Sequence, residues 1–459
     1  MKLFIRTSVT AVAVAALLSV STGAVSASGA TLVRDIKPIG GSDPWTLVKA
    51  GDRVFFSAND GEHGRELWVS DGTGAGTRLV KDIRPGATGS QPEALTRVGS
   101  RVYFNANDGS HGRELWVSDG TAAGTRMVKD LTRGSKGTST MAIIGVGDTA
   151  YFDIMYDGLY RTDGTAKSTR RVHEFAGVGL SQAVVKGSKL FFPAEGSGAG
   201  TSGTTVASPS WTMTLWKTDG TTTGTKRLGP KDLTVGGLVK HDGRIYFTAS
   251  FQSFTGLDVP FSPWRSNGTR AGTKKLADVY AASGLVRRDG ALWFNGSTHP
   301  YLENVRLYRS DGTKAGTAPV RPRVGHLRDM VAEVGRLWGQ RHSTGVQDPD
   351  ELWVSDGTAA GTSLVYGGTG DWFVGAWYEW EPEGLDGRVY FAAGRGDGSY
   401  ELVDNELWSS DGTTAGTVEA ADVNPSGSSD PRDLVRLGDT ILFTATDGQT
   451  GRELWRLDL

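Results

Sequence analysis

The sequence predicts an all-β protein, a single closed β-propeller of four-stranded antiparallel blades spanning residues 28–459. Three observations predict it. One phrase, Glu66-Leu67-Trp68-Val69-Ser70-Asp71-Gly72-Thr73, returns almost unchanged at Glu114–Thr121, Glu351–Thr358 and Glu406–Thr413. A short segment ahead of each copy is apolar on both faces. The first residues past the leader read as a fourth strand, while the last ones read as a third. A fixed period of this length marks a solenoid, propeller or array.

Alignment on the aromatic of the phrase sets Trp68, Trp116, Tyr160, Trp216, Trp264, Tyr308, Trp353, Trp408 and Trp455 in register, nine units with spacings of 44 to 56 residues. The second unit shows the plan. Pro92–Val98 is a strand, Gly99-Ser100 a turn, Arg101–Asn105 a second strand and residues 107–113 a loop. Glu114–Ser118 is a third strand, Asp119-Gly120-Thr121 opens a turn, and Arg126–Asp130 is a fourth strand. Glycine paired with Asp or Ser between apolar runs is a hairpin signal, because glycine accepts positive φ.

The second strand recurs in every unit, as Arg53-Val54-Phe55-Phe56, Arg244-Ile245-Tyr246-Phe247 and Arg388-Val389-Tyr390-Phe391 among others. A sheet apolar on both faces must be covered on both. Four-stranded sheets stacked around an axis achieve this with short, protected edges. Leu32–Ile36 matches Leu79–Ile83, a fourth strand, and Glu453–Leu459 is a third. The first strand is therefore expected to complete the last blade. The count gives nine blades. Eight is the alternative, with the third or sixth unit outside the ring.

Residues 1–27 read as a secretory signal peptide. Lys2 and Arg6 precede the apolar run Ser8–Val20, and Val25-Ser26-Ala27 places cleavage after Ala27. An exported monomer is the expectation, and no later stretch is apolar for long enough to span a bilayer. There are no cysteines, so neither a disulfide nor a thiolate metal site is available. Without Lys2 and Arg6 the chain has 47 basic against 51 acidic residues and no basic stripe, which argues against nucleic acid. Glycine, at 65 of 459 residues, is about twice its usual share.

The phrase resembles the bacterial ELWxxDGT repeat family, and the likeness covers nearly all of residues 32–459. It implies an exported repeat protein with a propeller-like fold and carries no catalytic residues. Units three, five and six depart from the phrase, with Gly158-Leu159-Tyr160, Pro263-Trp264 and Arg306-Leu307-Tyr308. The Asp-Gly-Thr turn also resembles the Asp-box of sialidase-like propellers, where the aspartate shapes its own turn. Short Asp and Thr side chains do this commonly, so Asp71, Asp119, Asp163, Asp219, Asp311, Asp356 and Asp411 read as structural.

Function is expected where the units differ. The turns after the first and third strands are short and uniform and share one face. The second-to-third loops and blade connections vary and share the other, where binding residues concentrate. The densest aromatic run, Asp371–Glu381, opens the innermost strand of blade eight. Candidate ligand-binding residues are Trp372, Trp377, Tyr378, Glu379 and Trp380, with Phe254 and Phe261 from blade five. Aromatic faces beside carboxylates suit sugar rings or peptide side chains; filling a gap between blades is the plainer role for such rings. The partner expected is an extracellular glycan or protein.

Three weaker signals complete the reading. The Asn59–Glu66 loop and its copies offer oxygen ligands for Ca²⁺, without EF-hand spacing. Arg395-Gly396-Asp397 is an integrin-type tripeptide in a Gly-rich loop. Asp371, Glu379, Glu381 and Glu383 are the carboxylates a polysaccharide hydrolase or lyase would draw on. A purely structural surface protein is the third alternative.

Overall fold

The structure, a computed structural model, describes residues 29–134, 136–138, 140–196, 213–251, 261–299, 304–320, 325–341, 351–358, 360–366, 372–374, 382–395 and 404–459. Nine antiparallel sheets follow one another along the chain. Blade one runs Trp45–Ala50, Arg53–Asn59, Arg65–Ser70, Arg78–Lys81, from the centre outward. Blade nine consists of Arg432–Leu437, Thr440–Thr446 and Arg452–Asp458, and its outer strand is Ala30–Arg34. The pairs Ala30↔Leu457, Thr31↔Arg456 and Leu32↔Trp455 set that register. No helix among the described residues is long and apolar enough to cross a membrane.

The repeated phrase builds the seams. Leu67 and Val69 face forward, packing with Leu95, Val102 and Phe104 of blade two. Trp68 faces back, onto Leu442 and Leu454 of blade nine. The same alternation places Trp116 on blade one and Trp455 on blade eight. One apolar cluster fills each of the nine seams, including that between blades nine and one, so the ring is closed. Second-strand rings such as Phe56, Phe104, Phe152 and Phe247 are fully buried. Each contributes about 1.5–3 kcal/mol of transfer free energy.

The Asp-Gly turn also locks each blade to the one before it. Gly120 has φ +87, and a Cβ there would lie 3.1 Å from the Phe55 ring of blade one. At Gly357, with φ +96, the ring met would be Trp293 of blade six. Glycine is thus required twice, by conformation and by space. A cation from the preceding blade donates to the same turn's carbonyl: Arg78 to Gly120 O, Arg126 to Gly164 O, Arg265 to Gly312 O and Arg456 to Gly72 O.

One feature was not foreseen. The innermost strand carries a register shift in seven blades, as between Trp45 and Val48 or Glu93 and Thr96. Thr46, Ala94, Asp329 and Asp433 sit there at φ +47 to +57. A bulge adds twist, which the strand needs where blades crowd the axis. Blades four and eight instead break this strand in two, at Phe175–Val178 and Val184–Lys186, and at Trp372–Val374 and Glu383–Leu385.

Candidate binding face

The residues that recur are spent on the scaffold. The Asp71 carboxylate accepts the Thr73 N–H (2.9 Å) and hydroxyl (2.7 Å), and Gly76 N–H donates to Thr73 Oγ1. The Thr73 hydroxyl and backbone hold the Asp71 carboxyl below its ordinary range. Seven further turns repeat this, with Asn267 in place of aspartate in blade five.

The glutamate of the phrase has a role that sequence reasoning missed. Glu66 is fully buried and accepts N–H bonds from Arg84 and Ser90 and the Ser90 hydroxyl. It thereby clamps the connection from blade one to blade two. Glu453 does the same for Ile36, Lys37 and Ser42, and Glu406 for Val423 and Ser429. Glu114 holds Leu131 and Thr132 at 3.3 Å. Burial pushes the Glu114 and Glu406 carboxyls up to about 7, and those of Glu66 and Glu453 upward as well. The signal was available: a serine or threonine 23–24 residues after three of these glutamates, at Ser90, Thr138 and Ser429.

The loop that offered oxygen ligands is closed on itself. Asp60 accepts the Glu62 and His63 N–H groups, and its second oxygen pairs with His63 Nδ1 at 2.8 Å. Asp108 and His111 repeat this. Among the described residues no group of three His, Asp or Glu side chains is arranged to hold a metal.

The loop face carries the exposed rings. Trp45, at the channel end of blade one, is 52% exposed. Tyr156, in the second-to-third loop of blade three, is 69% exposed and stands at φ +61. Ile39, Met155, Phe251 and Phe261 also lie exposed on this face. The other exposed large apolar residues among those described are Leu364 and Val418, on outer strands, and Leu459. The turn face has no exposed aromatic among the described residues.

Of the residues chosen from sequence, Phe261 is exposed and lies at 4.0 Å from where a Cβ on Gly236 would stand, with Gln182 on the same glycine. Phe251 meets Trp264 edge-on, centroids 5.8 Å apart. Trp372 opens the inner strand of blade eight, paired opposite Arg395. Phe254, Trp377, Tyr378, Glu379 and Trp380 lie outside the described residues, as do Asp371, Glu381, Gly396 and Asp397. Glu383 sits toward the turn face, where it accepts the Arg436 N–H at 3.0 Å. Sequence reasoning missed Trp45 and Tyr156. A tryptophan following Asp43-Pro44, and a Met-Tyr pair in a short loop, were the signals.

No known family profile matches the chain. No curated protein matches either. Some solved structures align with it at low identity. The computationally designed Ika8 protein aligns over 81% of this chain and 96% of its own, at 10% identity and a TM-score of 0.44. A prolyl endopeptidase aligns over 88% of this chain at 15% identity and a TM-score of 0.44, and this chain spans 52% of that one. The β-propeller domain of the Trilobed protease from Pyrococcus furiosus aligns over 83% and 97% of the two chains, at 13% identity and a TM-score of 0.39.

Proposed function

We propose that this chain is an exported, non-catalytic propeller that binds an extracellular glycan or protein on its loop face. The observation behind this reading is the one-sided placement of exposed rings: Trp45, Tyr156, Phe251 and Phe261 share that face. Rings held out on a rigid scaffold offer large contact area at low entropic cost. The resemblance to exported ELWxxDGT repeats, and the leader before residue 28, support export.

Glycan arrays and pull-downs from culture medium identify the partner. Trp45→Ala, Tyr156→Ala and the paired change Trp377→Ala, Trp380→Ala should each weaken it about tenfold or more, as expected of interface aromatics. Asp52→Lys, on a turn-face hairpin, should leave binding unchanged. Equal loss from Asp52→Lys, or none from the loop-face variants, would overturn the assignment.

A second reading, a polysaccharide hydrolase or lyase, has one observation behind it. Burial raises the Glu333 carboxyl, and Glu383 on the adjacent blade raises it further. Reducing-sugar release that vanishes in Glu333→Gln would favour it.

A further inference from the structure

Blade six breaks the repeated phrase at its two most informative positions. Arg306 stands where blades one, two, eight and nine bury a glutamate, and Tyr308 replaces the tryptophan. The structure has a cleft of about 480 Å³ at this place, between the end of blade five's outer strand and the outer strands of blade six. Its volume falls in the range of small-molecule pockets, roughly 300–1,000 Å³.

The lining says what the cleft would take. Asp278, its only carboxylate among the described lining residues, is already paired with Lys314 (2.7 Å) and Lys275 (3.4 Å). Arg306 is half-buried and has no hydrogen-bond or ion-pair partner among the described residues. Among the described residues the uncompensated charge is therefore positive. A planar guanidinium matches an oxyanion with two parallel hydrogen bonds. Thr298 adds a hydroxyl, and the Tyr308 ring, stacked on Phe294 with centroids 5.6 Å apart, forms a wall.

We propose that this cleft is a second binding site, which takes an acidic saccharide unit. Its carboxylate pairs with Arg306 and a ring hydroxyl meets Thr298. The site does not depend on the loop-face reading, since it lies on different elements.

Calorimetric titration of the full chain with trigalacturonate tests it, with neutral galactotriose and inorganic phosphate as comparison probes. Trigalacturonate should bind and galactotriose should not. Arg306→Gln should weaken trigalacturonate at least tenfold. The double change Arg306→Glu, Tyr308→Trp writes the repeat's own phrase into blade six, and should abolish binding. Unchanged affinity in Arg306→Gln, or equal binding of galactotriose, would overturn the site. Phosphate binding as tightly as trigalacturonate would reduce it to a bare oxyanion site and overturn the saccharide. Trp45→Ala separates the two proposals: trigalacturonate affinity should survive it, and loss in Trp45→Ala without loss in Arg306→Gln would overturn the cleft alone.

Discussion

Blades eight, nine, one and two differ from blades three to six in one residue at the head of the third strand. The first group has Glu406, Glu453, Glu66 and Glu114 there, each buried and turned onto the following connection. The second group has Gly158, Thr214, Ser262 and Arg306. Blade seven is intermediate: Glu351 is present but pairs with Arg341 and with the Trp353 indole N–H. In blade four the small Thr214 accepts the Trp216 indole N–H instead. In blade three, Gly158 lets His173 come so close that a Cβ would lie 2.2 Å from its carbonyl oxygen. A clamp that needs two to four donors restricts its connection to one path. An arc released from that requirement is free to vary, and the cleft of blade six lies in it.

The comparison predicts a graded series of losses. Removal of Ala30–Arg34 should have the largest effect, because it strips the outer strand from blade nine and opens the seam with blade one. Loss of a cooperative unfolding transition in calorimetry is the expected result. Next comes Glu453→Ala, which strands three N–H groups and a hydroxyl in a buried site. It should cost on the order of 3 kcal/mol by chemical denaturation. Ser262→Ala, the same position in the unclamped arc, should cost less than about 1 kcal/mol. Equal losses would erase the distinction between the arcs.

A pH series sharpens it further. With folded-state values near 7 against an ordinary 4.5, Glu114 and Glu406 bind their protons more tightly in the folded chain. Their contribution is therefore fully present below about pH 4.5 and is lost as pH rises through 7. The melting temperature should fall between pH 5 and pH 8, and the double variant Glu114→Gln, Glu406→Gln should flatten that fall. The smallest effect belongs to Asp71→Asn. Blade five already uses Asn267 in this turn, its Oδ1 accepting the same Thr269 N–H and hydroxyl. A change within about 0.5 kcal/mol is expected.

The parts of the molecule legible in the sequence are those whose cause is local. Trp68 and Asp71 could be read because a strand's alternation and a turn's own hydrogen bonds act within a few residues. The pairing of Ala30–Arg34 with the last blade was legible because its copies elsewhere, such as Leu79–Ile83, mark it as a fourth strand. The role of Glu66 was not, although a glutamate stands there in five of the nine units, because its partner Ser90 lies across an irregular connection. The bulges were hidden for another reason: Thr46, Ala94 and Asp433 hold positive φ where a glycine would have announced it. Of the candidate site, the choice of face came from comparing loop lengths. The exposed Trp45 and Tyr156 did not emerge, because a single ring in a short loop has no periodic context.

The seam between blades has a consequence for how such a ring grows. Both halves of the joint are carried by one repeat: Leu67 and Val69 point forward while Trp68 points back, and the turn glycine that receives a neighbour's apolar side chain lies four residues after Trp68. Copies that keep these positions therefore present matching halves of the joint. Tandem duplication of a single gene segment adds a complete blade with two finished surfaces, and the angle per blade is the only quantity that must adjust.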